Sequence, residues 1–192
     1  MEDVTDPAFR LLCKRFGAAR VYTEFVNADA LVRDVASTTR KLQISDKERP
    51  VAIQIYACSD EAIEQSYIRM EDYPIVDLIL GAEKKTLSEK LQQRISDYTQ
   101  QGGNLMLSGS YLGSILPTHL AQHTLKFTYG GSMYGVTTGQ VFGANTTLSF
   151  PTQVNEKSYA VPAPDCLLPT AGAYSTFVYT PGNYGAGIAY QG

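Results

Sequence analysis

Two hydrophobic periods alternate through the first 110 residues. Asp6 can cap a helix that opens with Pro7; Phe9, Leu12, Cys13 and Phe16 fall on one of its faces, and Gly17 ends it. Val21–Phe25 is a β-rich run, and Asn27–Asp34 follows as a weaker helical stretch. After the Glu48-Arg49-Pro50 turn, Val51–Ala57 is apolar nearly throughout, as in a strand covered on both faces. The same alternation then repeats. Val76–Gly81 is strand-like, and Thr86-x-x-Glu89 is a capping-box pattern opening a helix with Leu87, Leu91, Ile95 and Tyr98 at near-helical spacing. Gly102-Gly103 stops that helix, and Asn104–Gly109 is another strand, so parallel pairing through right-handed crossovers is expected. Beyond Pro117 a short helix to Lys126 precedes strands expected at Met133–Phe142, Thr146–Phe150, Tyr159–Pro162, Tyr174–Thr180 and Gly187–Gln191. Turn signals at Ala144-Asn145 and Pro181-Gly182-Asn183 separate them.

Charge sharpens this division. Of the residues from Tyr111 onward only Lys126, Glu156, Lys157 and Asp165 are charged, and Gly, Ser, Thr and Tyr dominate, a composition suited to antiparallel sheet. The 192 residues are 44% hydrophobic, enough for a core and too many for a disordered chain. A formal charge of −3 argues against a broad nucleic-acid surface but leaves room for a local basic patch. No apolar run reaches the roughly 18 residues of a membrane span, and Met1-Glu2-Asp3 lacks the pattern of a secretory leader, so the chain as written is expected in the cytoplasm. Cys13, Cys58 and Cys166 have no metal-binding or disulfide-framework spacing and read as small buried side chains.

Met1–Arg10 (Met-Glu-Asp-Val-Thr-Asp-Pro-Ala-Phe-Arg), Val-Tyr-Thr-Glu-Phe at 21–25 and Arg-Pro-Val-Ala-Ile-Gln-Ile-Tyr at 49–56 resemble, in order and spacing, the opening of the tRNA-dihydrouridine synthases. The resemblance implies part of an FMN-containing (β/α)₈ barrel that reduces uridines in tRNA with a nicotinamide as electron source. It implies flavin contacts for Met1, in the first barrel strand, and Gln54, in the third, and tRNA as the partner. The same resemblance leads one to expect, soon after the third strand, an Asn-x-Gly-Cys-Pro segment whose cysteine protonates the uracil ring. No such segment is found, and Cys58, followed by Ser59-Asp60, does not fit the role.

From Cys58 onward the chain resembles a different module. Asp72–Gly81, Gly102–Ser114, Ala173–Phe177 and Gly185–Tyr190 are similar to segments of a C-terminal module of secreted, xanthan-lyase-like bacterial proteins, with a Rossmann- or flavodoxin-like outline. The expected organisation is therefore α/β: a truncated, TIM-barrel-derived β/α fragment over 1–57, joined as a chimera to a Rossmann-like segment over 58–192 with an antiparallel β portion. Three strands do not close an eight-stranded barrel, whose phosphate site comes from loops after strands seven and eight. Catalysis and FMN retention are accordingly not expected of this chain. The alternative is a noncatalytic binding or structural module, and open sheet edges invite self-association.

Further candidates have ordinary readings. His119 and His123 stand four apart on an expected helix, but Leu120 occupies the glutamate position of H-E-x-x-H, and the pair reads as a solvated or half-buried helical face. Ser108-Gly109-Ser110 lacks the first glycine of a nucleophile elbow. Ser110, Gly113 and Ser114 follow a parallel strand, where open sheets place ligands, though a turn also needs small residues there. Glu24 ends a strand of the flavoenzyme-like fragment and is read as exposed, the alternative being a place facing the flavin pocket that the resemblance implies, and the thirteen tyrosines are read mainly as cross-strand packing residues. No catalytic or metal-ligating residue is assigned.

Overall fold

The computed structural model describes residues 4–57, 59–68, 73–80, 86–143, 147–149, 163–180 and 182–192. Met1 and Cys58 lie outside these residues, as does the strand expected at 159–162. The chain forms two compact units, one of Met1–Ala82 with Leu87–Gly109, the other of Glu83–Thr86 with Ser110–Gly192.

In the first unit, Asp6 accepts a hydrogen bond from the Phe9 amide and starts α1 (Pro7–Arg15). Then come β1 (Val21–Asn27), α2 (Ala28–Val32), α3 (Ala36–Lys41), β2 (Val51–Tyr56), α4 (Asp60–Ile68), β3 (Ile75–Ile79), α5 (Glu89–Gln100) and β4 (Asn104–Ser108). Asn27 caps α2 by accepting from the Ala30 amide. The cap of α5 is Ser88, which accepts from the Leu91 amide, two residues beyond the expected Thr86. This shift leaves Leu87 free to be buried.

All four strands are parallel and lie in the order β1-β2-β3-β4. The register Gln54↔Asp77 and Ile55↔Leu78 carries the sheet straight across the position, 57/58, at which a change of lineage was expected. A Rossmann-like sheet reverses its strand order at a switch point; this one does not, and α2 packs beside α4 and α4 beside α5. Sequential parallel order with neighbouring crossover helices is the barrel pattern. Val26, Ile53, Ile55, Val76 and Leu78 are fully buried, together with Leu31, Leu91 and Ile95 from the helices.

A buried ion pair ties the entry helix to the turn before β2. Arg10 Nε donates to Glu48 Oε2 at 2.7 Å, while its Nη1 and Nη2 donate to the carbonyls of Thr5 and Gln43. Glu48 Oε1 in turn accepts from the amide and hydroxyl of Ser45. Every polar atom named in this cluster has a partner, which is what makes a buried charge pair tolerable. The apolar face of α1 is less closed: Phe9, Leu12 and Phe16 are all exposed.

The second unit contains α6 (Leu112–Ile115), a π-helical turn at Leu120–Thr124, and β5 (Phe127–Ser132), β6 (Thr138–Val141), β7 (Thr147–Ser149), β8 (Asp165–Pro169), β9 (Tyr174–Thr180) and β10 (Tyr184–Ala189). Its pairing is antiparallel, in the order β10-β9-β6-β7 with a separate β5-β8 ribbon. The antiparallel character agrees with the composition, but β5 and β8 were not expected. The Gly130-Gly131 pair within β5 and the prolines flanking Asp165 and Cys166 read locally as turns, and long-range pairing overrides them. At Gly185 a Cβ would stand 2.0 Å from the Leu167 carbonyl oxygen, so close backbone approach demands glycine there. No helix among the described residues is long and apolar enough to cross a membrane.

Candidate functional site

The polar centre of the parallel sheet is assembled by a bulge. Between Tyr22↔Ala52 and Phe25↔Gln54 the register of β1 gains one residue on β2. The extra residue leaves the Gln54 amide to be satisfied otherwise, and the fully buried Thr23 hydroxyl accepts it at 3.3 Å while donating to the Glu24 carbonyl. Phe25 is thereby set opposite Gln54, and one face of the sheet reads Phe25, Gln54, Asp77, Met106 across its four strands.

Gln54 Nε2 donates to Asp77 Oδ2 at 3.0 Å. Asp77 is 4% exposed, and its Oδ1 has no hydrogen-bond partner. The same face opens on the edge strand β4 and at the end of β2: Met106 is 53% and Tyr56 38% exposed. Tyr56 meets Phe25 edge to face at 6.2 Å between ring centres, and its hydroxyl accepts from Asn27 Nδ2. The arrangement is a carboxylate and an amide on a partly aromatic surface. It offers hydrogen-bond acceptors, but no nucleophile paired with a base.

Of the flavin positions implied by resemblance, only Gln54 can be placed, and one of its amide donors is committed to Asp77. The strands that follow β4 pair antiparallel, so among the described residues no loop after a seventh or eighth parallel strand supplies a phosphate cradle. Gln54 and the strands described around it do not by themselves make up an FMN site. Glu24 is half-buried at the bulge.

The other candidates take structural roles. His119 and His123 are exposed, and no group of three or more His, Cys, Asp or Glu able to hold a metal occurs among the described residues. In the elbow-like stretch the left-handed residue is Tyr111, at φ 64°, rather than Ser110. Ser114 is held by Asp165: its amide donates to Asp165 Oδ2 at 3.0 Å, and its hydroxyl lies 3.2 Å from the same oxygen and 3.0 Å from the Tyr111 carbonyl. Burial, with the nearby Asp165 and Cys166, pushes the Tyr179 hydroxyl up to about 12, and burial raises the Cys166 thiol.

Asp77 and Asp165 are the polar groups that the sequence reading missed. A lone acid inside the apolar run Ile75-Val76-Asp77-Leu78-Ile79 is a visible signal for the first. The second depends on a partner 51 residues away.

Residues 1–91 match the family model described as Dihydrouridine synthase (Dus). A protein named "Probable tRNA-dihydrouridine synthase" from Aquifex aeolicus is 35% identical over 68 residues, 35% of this chain and 21% of that protein. For tRNA-dihydrouridine synthase B of Shewanella oneidensis the identity is 30% over 93 residues, 47% of this chain and 29% of the relative. For the rat protein named "tRNA-dihydrouridine(16/17) synthase [NAD(P)(+)]-like" it is 33% over 84 residues, 42% and 19%. This chain therefore spans less than a third of the length of each of these relatives. No solved structure matches. The family match extends past the expected boundary at residue 57, through α4 and β3 to the start of α5, so the N-terminal region matches the dihydrouridine synthases over all of residues 1–91.

Proposed function

We propose that β1 to β4 are strands two to five of a dihydrouridine-synthase-type barrel and that this chain, by itself, is a noncatalytic scaffold of that lineage. The observation that carries this reading is the Gln54–Asp77 hydrogen bond, which turns one N–H of the side chain that would meet a flavin toward a neighbouring strand. The sequence supports it. From the last residue of β3 the chain reads Ile79-Leu80-Gly81-Ala82-Glu83, which keeps only the glycine of Asn-x-Gly-Cys-Pro and puts Ala82 in the place of the proton-donating cysteine. Without that acid, hydride addition to a uracil ring has no positioned proton to complete it. The change to antiparallel building falls between Ser108, the end of β4, and Phe127, the start of β5, beyond residue 91, where the family match ends, and across the unit boundary at 109/110. A join of two lineages there, rather than at 57/58, is part of the proposal.

The test is flavin titration of the purified chain followed by a turnover assay on a uridine-containing tRNA transcript with FMN and NADPH. No stoichiometric quenching of flavin fluorescence and no dihydrouridine above background are expected. Stoichiometric quenching, or measurable turnover, would overturn the proposal.

A further inference from the structure

The parallel sheet stops short at both flanks, and the two shortfalls are complementary. Among the described residues β1 pairs only with β2, and β4 only with β3. Leu105 and Leu107 of β4 share a face with Val76 and Leu78 of β3. The β3 pair is fully buried and the β4 pair only half-buried, so the cover on this face runs out at β4.

At the other flank the surplus is helix. α1 packs beside β1 and the turn before β2, yet Phe9, Leu12 and Phe16 are 40%, 47% and 86% exposed. A right-handed crossover lays its helix over the two parallel strands it joins. Since α1 leads into β1, its place is over β1 and a strand before it, and among the described residues no strand precedes it. One flank thus has a strand that lacks its helix, and the other a helix that lacks its strand. A second copy supplies both at once, whereas a partner of another kind would cover one flank and leave the other.

The strand count agrees. About a twofold axis, β4 of each protomer meets β1 of its partner, and the parallel order β1-β2-β3-β4 repeats to give the eight strands that close a β/α barrel. Charge agrees as well. α1 has no acidic residue and carries Lys14 and Arg15 in its last turn. The last turn of α5, the helix leading into β4, has no basic residue, and there the exposed Asp97 accepts only from the neutral Gln93 side chain among the bonds given to it. Helices of a barrel run parallel to one another, so Arg15 and Asp97 come to one level at each joint.

We propose that two copies of this chain associate through these flanks, β4 and α5 of one protomer against β1 and α1 of its partner, to close an eight-stranded barrel. Closure lays Phe9, Leu12 and Phe16 on Leu105 and Leu107, and the hydrogen bond from Lys41 Nζ to the Phe25 carbonyl of β1 yields to strand pairing. The proposal rests on the reading of β1 to β4 as consecutive barrel strands and names the partner that completes them.

The test is sedimentation equilibrium of the full chain at micromolar concentration, where a species of twice the chain mass is expected. Phe16→Glu should convert it to monomer, whereas Tyr134→Glu, at a ring of the second unit that is 81% exposed, should leave it dimeric. Arg15→Glu should weaken the dimer about 10-fold, acting at both joints, and adding Asp97→Arg should restore it. Both of these positions are exposed, so the exchange reports on the joint even if Phe16→Glu does not fold. A parent chain that stays monomeric or forms only open-ended assemblies, a folded Phe16→Glu chain that stays dimeric, equal dissociation by Tyr134→Glu, or no recovery on adding Asp97→Arg would overturn the proposal. A dimer that binds flavin would overturn the proposed function alone, and a monomer that binds none would overturn the dimer alone.

Discussion

In the parallel sheet, strands and helices are held apart from water by branched side chains such as Ile53, Ile55, Val76, Leu78, Leu91 and Ile95, and charges inside are met by specific partners, as in Arg10–Glu48 and Gln54–Asp77, with Asp77 Oδ1 left unpartnered. In the antiparallel unit the strands approach through glycine, with Gly185 against the Leu167 carbonyl and Gly139 under the Phe177 ring, while Tyr134, Tyr174, Tyr184 and Tyr190 remain exposed. The first unit gains stability from the apolar volume it buries, and its weak points are the charges inside that volume. The second relies on close backbone approach, and its weak points are the positions where any side chain at all intrudes.

Breaking the buried pair should therefore produce the largest effect. Glu48→Ala leaves the Arg10 guanidinium charged and partly unpartnered in the interior, at a cost of about 3–5 kcal/mol in chemical denaturation. The double substitution Arg10→Met with Glu48→Leu should recover most of the loss, because both charges leave together. In the antiparallel unit the corresponding change is Gly185→Ala, whose methyl group would collide with backbone; about 1–3 kcal/mol is expected, read from the thermal transition. If Gly185→Ala is neutral and Glu48→Ala mild, the contrast between the units is wrong.

Thr23→Val is a finer probe of the first unit. It keeps the shape but removes the acceptor for the Gln54 amide, and should cost about 1–3 kcal/mol, whereas Thr23→Ser should be much closer to neutral.

How far such features are legible from sequence follows the range of the interactions. The continuous apolar run Val51–Ala57 and the periodic Leu91, Ile95 and Tyr98 announce their elements, because the signal is local and repeated. The bulge at Thr23 is not legible, since nothing local distinguishes a threonine filling a register shift from one in a regular strand. The strand order also escaped, because the same helix and strand pattern serves a doubly wound sheet and a barrel alike. Within the candidate site, Gln54 came from family resemblance, whereas Asp77 required the register that pairs β2 with β3.

The smallest contrast is in pH dependence. Burial opposes ionisation of Glu48, but hydrogen bonds from Ser45 and Arg10 and the Arg10 charge outweigh it and hold the carboxyl below 4.5. Glu64 is lowered chiefly by the Ser88 hydroxyl, against burial, with Lys90 and Arg94 assisting. A depressed carboxylate contributes stability that is complete above its unfolded value and is lost as pH falls through the folded one. The first unit should accordingly lose stability below about pH 4.5, and Glu64→Gln should flatten that loss in acid-denaturation curves.

Native-state hydrogen exchange of the full chain, resolved by peptide, most directly tests whether one barrel-like sheet runs through position 57/58. Amides in 51–56, 75–79 and 104–108 should open together at a single free energy, separate from those in 174–180. Exchange of 51–56 at a level distinct from 75–79, with those two strands opening independently, would contradict the account.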